Sequence, residues 1–89
     1  TWEDVPVTTK SDALILEANL SSLTAVDLDF DLMDSNGNVL ATSAGATATE
    51  RVSSAVQPNA TYILRVKGFA NGPSTFNIVV NQYLPNGSP

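Results

Sequence analysis

Residues 26–32 alternate strictly between apolar and polar types, reading Val-Asp-Leu-Asp-Phe-Asp-Leu. A period of two places successive side chains on opposite faces of an extended strand, so one face here is apolar and the other acidic. The pattern therefore predicts a half-buried β-strand. Its core-facing residues are Val26, Leu28, Phe30 and Leu32.

Turn residues follow this strand and predict a β-hairpin. Residues 34–38 read Asp-Ser-Asn-Gly-Asn, and apolar residues resume directly after them. If Gly37 takes the left-handed position of a three-residue bulged loop, Leu32 falls opposite Leu40 on the core face. A two-residue Asn-Gly turn would set Leu32 against Ala41 instead. We favour the first register because it buries more apolar surface.

The same alternation predicts two more strands, at 62–67 and 76–81. The segment between them, 68–74, is rich in Gly, Asn and Pro, and it is long enough for a hairpin or for a crossing between two sheets. Weaker patterns predict a first strand at 2–7 and a short edge-like strand within 47–56.

The segment 12–23 fits two patterns. Asp12 could cap a helix whose leucines recur every three or four residues, whereas alternate residues from Leu14 to Leu20 are apolar, as a strand requires. We predict a strand because every other element is β, and mutually consistent elements are typical of sequences that fold.

Together these elements predict an all-β, two-sheet antiparallel sandwich, jelly-roll-like, with about seven to eight strands. The sandwich is predicted to be a single domain over 1–84, and 85–89 reads as a linker. The predicted core comprises Leu14, Leu16, Leu28, Phe30, Leu32, Leu40, Val52, Tyr62, Leu64, Val66, Phe76, Ile78 and Val80.

The composition limits the kinds of catalytic and metal sites that this chain of 89 residues can form, because it has no His and no Cys. A Ser-His-Asp triad, a thiol nucleophile and the usual zinc sites are therefore excluded, and we predict no catalytic residue and no enzyme activity for the domain. The net charge of -5 argues against nucleic acid as a partner, and the apolar runs are too short for membrane insertion. Abundant Ser, Thr and Asn beside few charged residues are typical of secreted β domains.

Three motifs, in their order along the chain, resemble the bacterial pre-peptidase C-terminal domain. They read VDLDFDLMDSNGNVLA at 26–41, PNATYILRVKGF at 58–69 and STFNIVV at 74–80. The resemblance spans roughly residues 13–82. It departs from the family where Asn59-Ala60 and Thr75-Phe76 stand in place of the usual glycine-containing pairs.

The resemblance implies a non-catalytic accessory domain of a secreted hydrolase, with a peptidase as the expected parent, that aids secretion, stability or substrate attachment. The implied partners are the parent catalytic domain or an extracellular polymer, and the implied location is extracellular, with the isolated domain a monomer. The alternative is a polymer-binding module for collagen or polysaccharide, or an adhesin-type structural domain.

A related branch of the family, in clostridial collagenases, binds calcium through an acidic N-terminal segment and aspartates near the strand equivalent to 27–31. The resemblance therefore implies calcium as the one possible cofactor, with Glu3, Asp4, Asp27 and Asp29 as its ligands. Calcium takes six to eight oxygen ligands, and one strand alone cannot wrap it.

The aspartates of this strand, Asp27, Asp29 and Asp31, have a simpler interpretation as a solvated acidic face, paired across strands with Arg65 and Lys67. A third alternative is a carboxylate pair for acid–base catalysis, although a domain of this size predicts no cleft for it. The turn at 34–38 is not an EF-hand, because its Gly stands at position four rather than six.

Aromatic residues are the other candidates for binding. Trp2, Phe69 and Tyr83 fall at predicted strand ends or in a loop, where they could either pack against the ends of the sandwich or form a binding surface.

Overall fold

The computed structural model describes residues 2–23, 28–45, 49–68 and 75–85, and every regular element within them is a β-strand. The all-β prediction is confirmed, including a strand rather than a helix in the segment 12–23. The strands are β1 Trp2–Thr8, β2 Ile15–Ser22, β3 Asp29–Asp34, β4 Val39–Ser43, β5 Thr49–Ala55, β6 Thr61–Lys67 and β7 Phe76–Tyr83. No helix in these ranges is long and apolar enough to cross a membrane.

The strands form two antiparallel sheets with the orders β1-β6-β3-β4 and β5-β2-β7. Successive strands switch from one sheet to the other at each described connection except the β3–β4 hairpin. The segment 68–74 therefore links strands of different sheets, which decides between the two alternatives left open by its sequence. Strand β5 lies at a sheet edge, as its weak pattern predicted.

The core lies between the sheets and is built from the alternating strand positions. The largest side chains that are fully buried are Phe30, Leu16, Leu20, Leu28, Leu32, Leu64 and Val66. Three predicted core residues on β7 are only partly buried, although they pack against this cluster: Phe76, Ile78 and Val80. Strand β7 is an edge strand, so one side of these residues has no neighbouring strand to cover it.

The prediction that Leu14 lies in the core is wrong, because its side chain is 52% exposed. Ala13 is buried in its place, at the end of a turn in which its N–H bonds the carbonyl of Lys10. Leu14 and Ile15 are both exposed, so the inside–outside alternation breaks just before β2 and resumes at Leu16.

The hairpin combines one correct prediction with one error. Gly37 is left-handed, with φ 89°, and its N–H bonds the Asp34 carbonyl at 3.1 Å, as the three-residue loop requires. Leu32 nevertheless lies opposite Ala41, because the register shifts between Leu32 and Met33. This bulge leaves Leu40 as an extra residue on β4, and the prediction that Leu40 is in the core is wrong, since it is 40% exposed.

Two hydroxyl groups fix the start of β6 against the end of β1. The buried Thr9 hydroxyl donates to the carbonyl of Gln57 at 2.7 Å and accepts the N–H of Ala60 at 2.9 Å. The Tyr62 hydroxyl accepts the N–H of Gln57 at 2.8 Å. These bonds satisfy backbone groups of the β5–β6 connection, and they hold β1 and β6 in the register that forms the outer face described below.

Candidate functional site

The outer face of the four-stranded sheet carries most of the residues that the sequence marks as candidates. Residues that lie opposite one another on neighbouring strands point to the same face of a sheet. Two rows of such residues cross β1, β6 and β3 on this face. The first row consists of Trp2, Lys67 and Asp29, and the second consists of Asp4, Arg65 and Asp31. We refer to these six residues as the charged face.

An exposed aromatic ring and a basic side chain are stacked at the edge of the charged face. The guanidinium of Arg65 lies 4.6 Å from the centre of the Trp2 ring, within the range of a cation–π contact. The same guanidinium is held from the other side by Asp4, with Nε 2.8 Å from Oδ1 and Nη2 3.0 Å from Oδ2. Trp2 remains 59% exposed, so a preorganised aromatic surface is open to solvent.

The Asp4–Arg65 pair shifts the pKa values of both groups in the direction that favours the ion pair. The hydrogen bond from Arg65 lowers the pKa of Asp4 below its ordinary value, and the bond to Asp4 raises the pKa of Arg65. Both groups therefore stay charged through the neutral range, and the guanidinium keeps its orientation towards the indole ring.

Asp31 is the buried carboxylate of the charged face, with only 5% of the residue exposed. Its Oδ1 accepts the hydroxyl proton of Thr42 at 2.6 Å, and its Oδ2 lies 2.8 Å from Nζ of Lys67. Burial acts to raise the pKa of Asp31, but the hydrogen bonds from Lys67 and Thr42 outweigh it, so the pKa is lowered. The predicted cross-strand pairing of this acidic strand with a basic residue of β6 is confirmed at Asp31, whereas the prediction that the face is solvated is wrong there, because Asp31 is buried.

The four residues predicted as calcium ligands do not converge in the described part of the chain. Glu3 is in register with the buried Val66, so it belongs to the opposite face of the sheet from Asp4 and Asp29. Asp27 lies outside the described residues.

Two of the four predicted ligands, Asp4 and Asp29, share one face of the sheet in the described part of the chain. Both oxygens of Asp4 are engaged by Arg65, and no group of three acidic side chains placed to hold a metal occurs in the described ranges. The calcium hypothesis therefore remains a prediction, without a donor cluster among these residues.

The three-stranded sheet presents its own polar cluster on its outer face, which the sequence did not point to. Glu17 is 8% exposed and pairs with Arg51, and its Oε1 accepts from Asn81 and Asn19 at 3.3 Å each. The hydrogen bonds from Asn81 and Arg51 lower the pKa of Glu17. Because these partners lie on three strands, only the strand order could have brought them together.

Comparison with solved structures shows which known domain has a similar fold. No protein-family model and no curated protein matches the chain. Among solved structures, it is similar to the pre-peptidase C-terminal domain of a collagenase from Bacillus anthracis, with a TM-score of 0.63 over 89% of this chain and 88% of that chain. Sequence identity is 13%, so the likeness establishes the fold, and the fold implied by the three sequence motifs is confirmed.

Proposed function

We propose that this sandwich is a non-catalytic accessory domain of a secreted hydrolase, with a peptidase as the parent enzyme. The observation that carries the proposal is the shared fold with a pre-peptidase C-terminal domain of a collagenase across nearly the whole length of both chains. The domain would act outside the cell, where it aids secretion, stability or substrate attachment of the catalytic domain to which it is joined.

The residue chemistry supports the same proposal. A chain without His or Cys lacks the groups that most hydrolases use as general base or nucleophile at neutral pH. Two carboxylates of the charged face, Asp4 and Asp31, are neutralised by Arg65 and Lys67. Ion-paired carboxylates of lowered pKa are poor proton acceptors, so the face is better suited to contact than to turnover.

Sequencing the complete reading frame that encodes the domain tests the proposed accessory role. We expect a peptidase or related hydrolase domain in the same polypeptide and a secretion signal at its start. The purified domain itself should not hydrolyse casein or gelatin. A reading frame without any hydrolase, or peptide-bond cleavage by the domain alone that survives further purification, would contradict the proposal.

Attachment to an extracellular polymer is the second candidate, and the exposed Trp2 ring stacked on Arg65 favours it. Binding surfaces often place a rigid aromatic group beside a guanidinium, because the pair offers a large contact area and oriented donors. Collagen and polysaccharides both present rings or flat apolar surfaces that such a pair could contact.

Co-sedimentation with insoluble collagen, chitin and cellulose tests polymer attachment. We expect retention on one of them at micromolar protein, weakened about tenfold or more by Trp2→Ala if the ring contributes as a typical binding hot spot. Val79→Ala is the matched control, because Val79 is 58% exposed on the other sheet. Absence of retention on all three polymers, or equal weakening by both variants, rules out attachment through the charged face.

A further inference from the structure

We propose that the open edge of β7 is a dimer interface, at which β7 pairs antiparallel with β7 of a second copy of this chain. Strand β7 is the last strand in the order β5-β2-β7, so one of its sides lies against β2 and the other has no neighbour among the described strands. An unpaired strand edge is a template for pairing with another chain. The proposal is independent of the accessory role, and it differs from the monomer that the family resemblance implies.

The sequence of β7 lacks the features that prevent sheet edges from pairing. It reads Phe-Asn-Ile-Val-Val-Asn-Gln-Tyr, without a charged residue, a proline or a glycine. Natural edge strands are protected by charges, by proline, by bulges or by short length. The other edge strands of the two described sheets have such protection: β4 is short and bulged, β1 contains Glu3, Asp4 and Pro6, and β5 contains Glu50 and Arg51.

The backbone groups of Ile78 and Val80 point to the open side of β7. The N–H of Leu23 donates to the Thr75 carbonyl at 2.8 Å, and this pair continues the β2–β7 register by one step. Residues that bond the neighbouring strand alternate along an antiparallel ladder, so every second residue from Thr75 bonds β2. The residues between them, which include Ile78 and Val80, direct their N–H and C=O groups away from β2.

One antiparallel register makes β7 complementary to itself. When Val79 lies opposite Val79 of the second copy, Ile78 of each copy lies opposite Val80 of the other, and their free N–H and C=O groups can bond each other. On the outer face, Asn77 of each copy then lies opposite Asn81 of the other, so that an amide faces an amide. A two-fold axis through the Val79 pair relates the copies, which is the symmetry of an isologous dimer.

Exposure and charge both favour a second copy as the occupant. Val79 is 58% exposed, and Ile78 and Val80 are only partly buried, so a strand added at this edge covers apolar surface. The chain has a net charge of -5, which opposes contact between copies over most of the surface. Strand β7 brings no charged residue to the pairing, so this edge avoids that repulsion.

The pairing stops after one step. The joined sheet has the order β5-β2-β7-β7-β2-β5, and its outer edges are the two copies of β5. Because β5 carries Glu50 and Arg51, these edges are protected against further pairing. The interface therefore produces a closed dimer and not a fibre.

Sedimentation equilibrium of the 89-residue chain tests the proposal. A single pair of strands is a small interface, so we expect a monomer–dimer equilibrium between about 10 µM and about 1 mM protein, without larger species. Val79→Lys places two like charges opposite each other and should raise the dissociation constant about tenfold or more. Val39→Lys is the matched control, because Val39 is 56% exposed on β4, an edge strand of the other sheet, and it should leave the equilibrium unchanged.

A charge swap tests the two-fold register itself. Val79→Glu should also weaken the dimer, whereas an equimolar mixture of Val79→Lys and Val79→Glu should associate more tightly than either variant alone, because opposite charges then face each other. Val79→Lys reduces the net negative charge of the chain and Val79→Glu increases it, so a general charge effect cannot weaken both. A mixture that associates no better than the single variants overturns the register and the proposal.

Amide hydrogen exchange of the parent protein provides a readout that does not depend on the folding of a variant. The N–H groups of Ile78 and Val80 should become more protected as the protein concentration rises through the dimerisation range. A chain that stays monomeric throughout this range overturns the proposal. So does dimerisation without added protection at these two amides, or equal weakening of the dimer by Val79→Lys and Val39→Lys.

Discussion

The ammonium group of Lys67 lies 2.8 Å from the Asp31 carboxylate, although Arg65 is the residue directly opposite Asp31 in the strand register. The pair is diagonal because the Arg65 guanidinium is committed to Asp4 on the other neighbouring strand. The two basic residues of β6 thus pair with carboxylates on different neighbouring strands, Arg65 with Asp4 on β1 and Lys67 with Asp31 on β3.

This pairing predicts a pH dependence of stability. The pKa of Asp31 is lowered in the folded state, so the carboxylate contributes stability above its unfolded pKa of about 3.9 and loses that contribution as the pH falls through its folded pKa. We expect Asp31→Asn to cost about 1 kcal/mol at neutral pH and to flatten the loss of stability below about pH 4.

Urea unfolding between neutral pH and strongly acidic pH, followed by circular dichroism, measures this effect. The pKa values of Asp4, Glu17 and Asp34 are lowered too, so some acid sensitivity should persist in the variant. Asp12→Asn serves as the control. An Asp31→Asn profile parallel to that of the parent protein over the whole range would show that the pair with Lys67 does not contribute.

Removing a large side chain from the centre of the core should lower the stability of the domain strongly. Phe30 is 0% exposed, and Phe30→Ala should destabilise the domain by about 3 to 5 kcal/mol through lost burial and an unfilled cavity. Val39→Ala, at a position 56% exposed, should cost less than about 0.5 kcal/mol. Chemical denaturation of both variants gives the comparison, and a loss below about 1 kcal/mol for Phe30→Ala is incompatible with its placement between the sheets.

Because of the bulge in β4, substitutions of Leu32 and Leu40 should differ in their effect on stability. Leu32 is fully buried and Leu40 is 40% exposed, so Leu32→Ala should cost about 2 to 5 kcal/mol and Leu40→Ala about 1 kcal/mol or less. Equal losses in urea unfolding would instead support the register in which the two leucines face each other. Ala41, which takes the position opposite Leu32, is partly buried against the core.

The effect of calcium on thermal unfolding tests the calcium ligands that the family resemblance implies. Because Glu3 lies on the opposite face from Asp4, and Asp4 is bound by Arg65, we expect equal effects of calcium and magnesium on thermal unfolding at fixed ionic strength. Both should act by screening. A calcium-specific rise of several degrees relative to EDTA that disappears in Asp27→Asn would establish the site and refute this expectation.

Residue spacing was sufficient to locate the strands that carry strong alternation. The buried positions Leu28, Phe30, Leu32, Leu64 and Val66 follow directly from a period of two, since that period leaves one way to bury an apolar face. The left-handed Gly37 also followed from local turn chemistry. Near strand ends, by contrast, one extra or missing residue reverses the face, and both Leu14 and Leu40 lie at such places.

What the sequence determined by itself is therefore local: the strands, the turn between β3 and β4, the apolar faces and the acidic character of one strand. The tertiary structure alone decided which strands are neighbours. That order brings Arg65 to Asp4, Lys67 to Asp31 and Glu50 to Ser43. Strand pairing depends on contacts between residues far apart in the chain, and these contacts are selected by burial of the whole core rather than by any one segment.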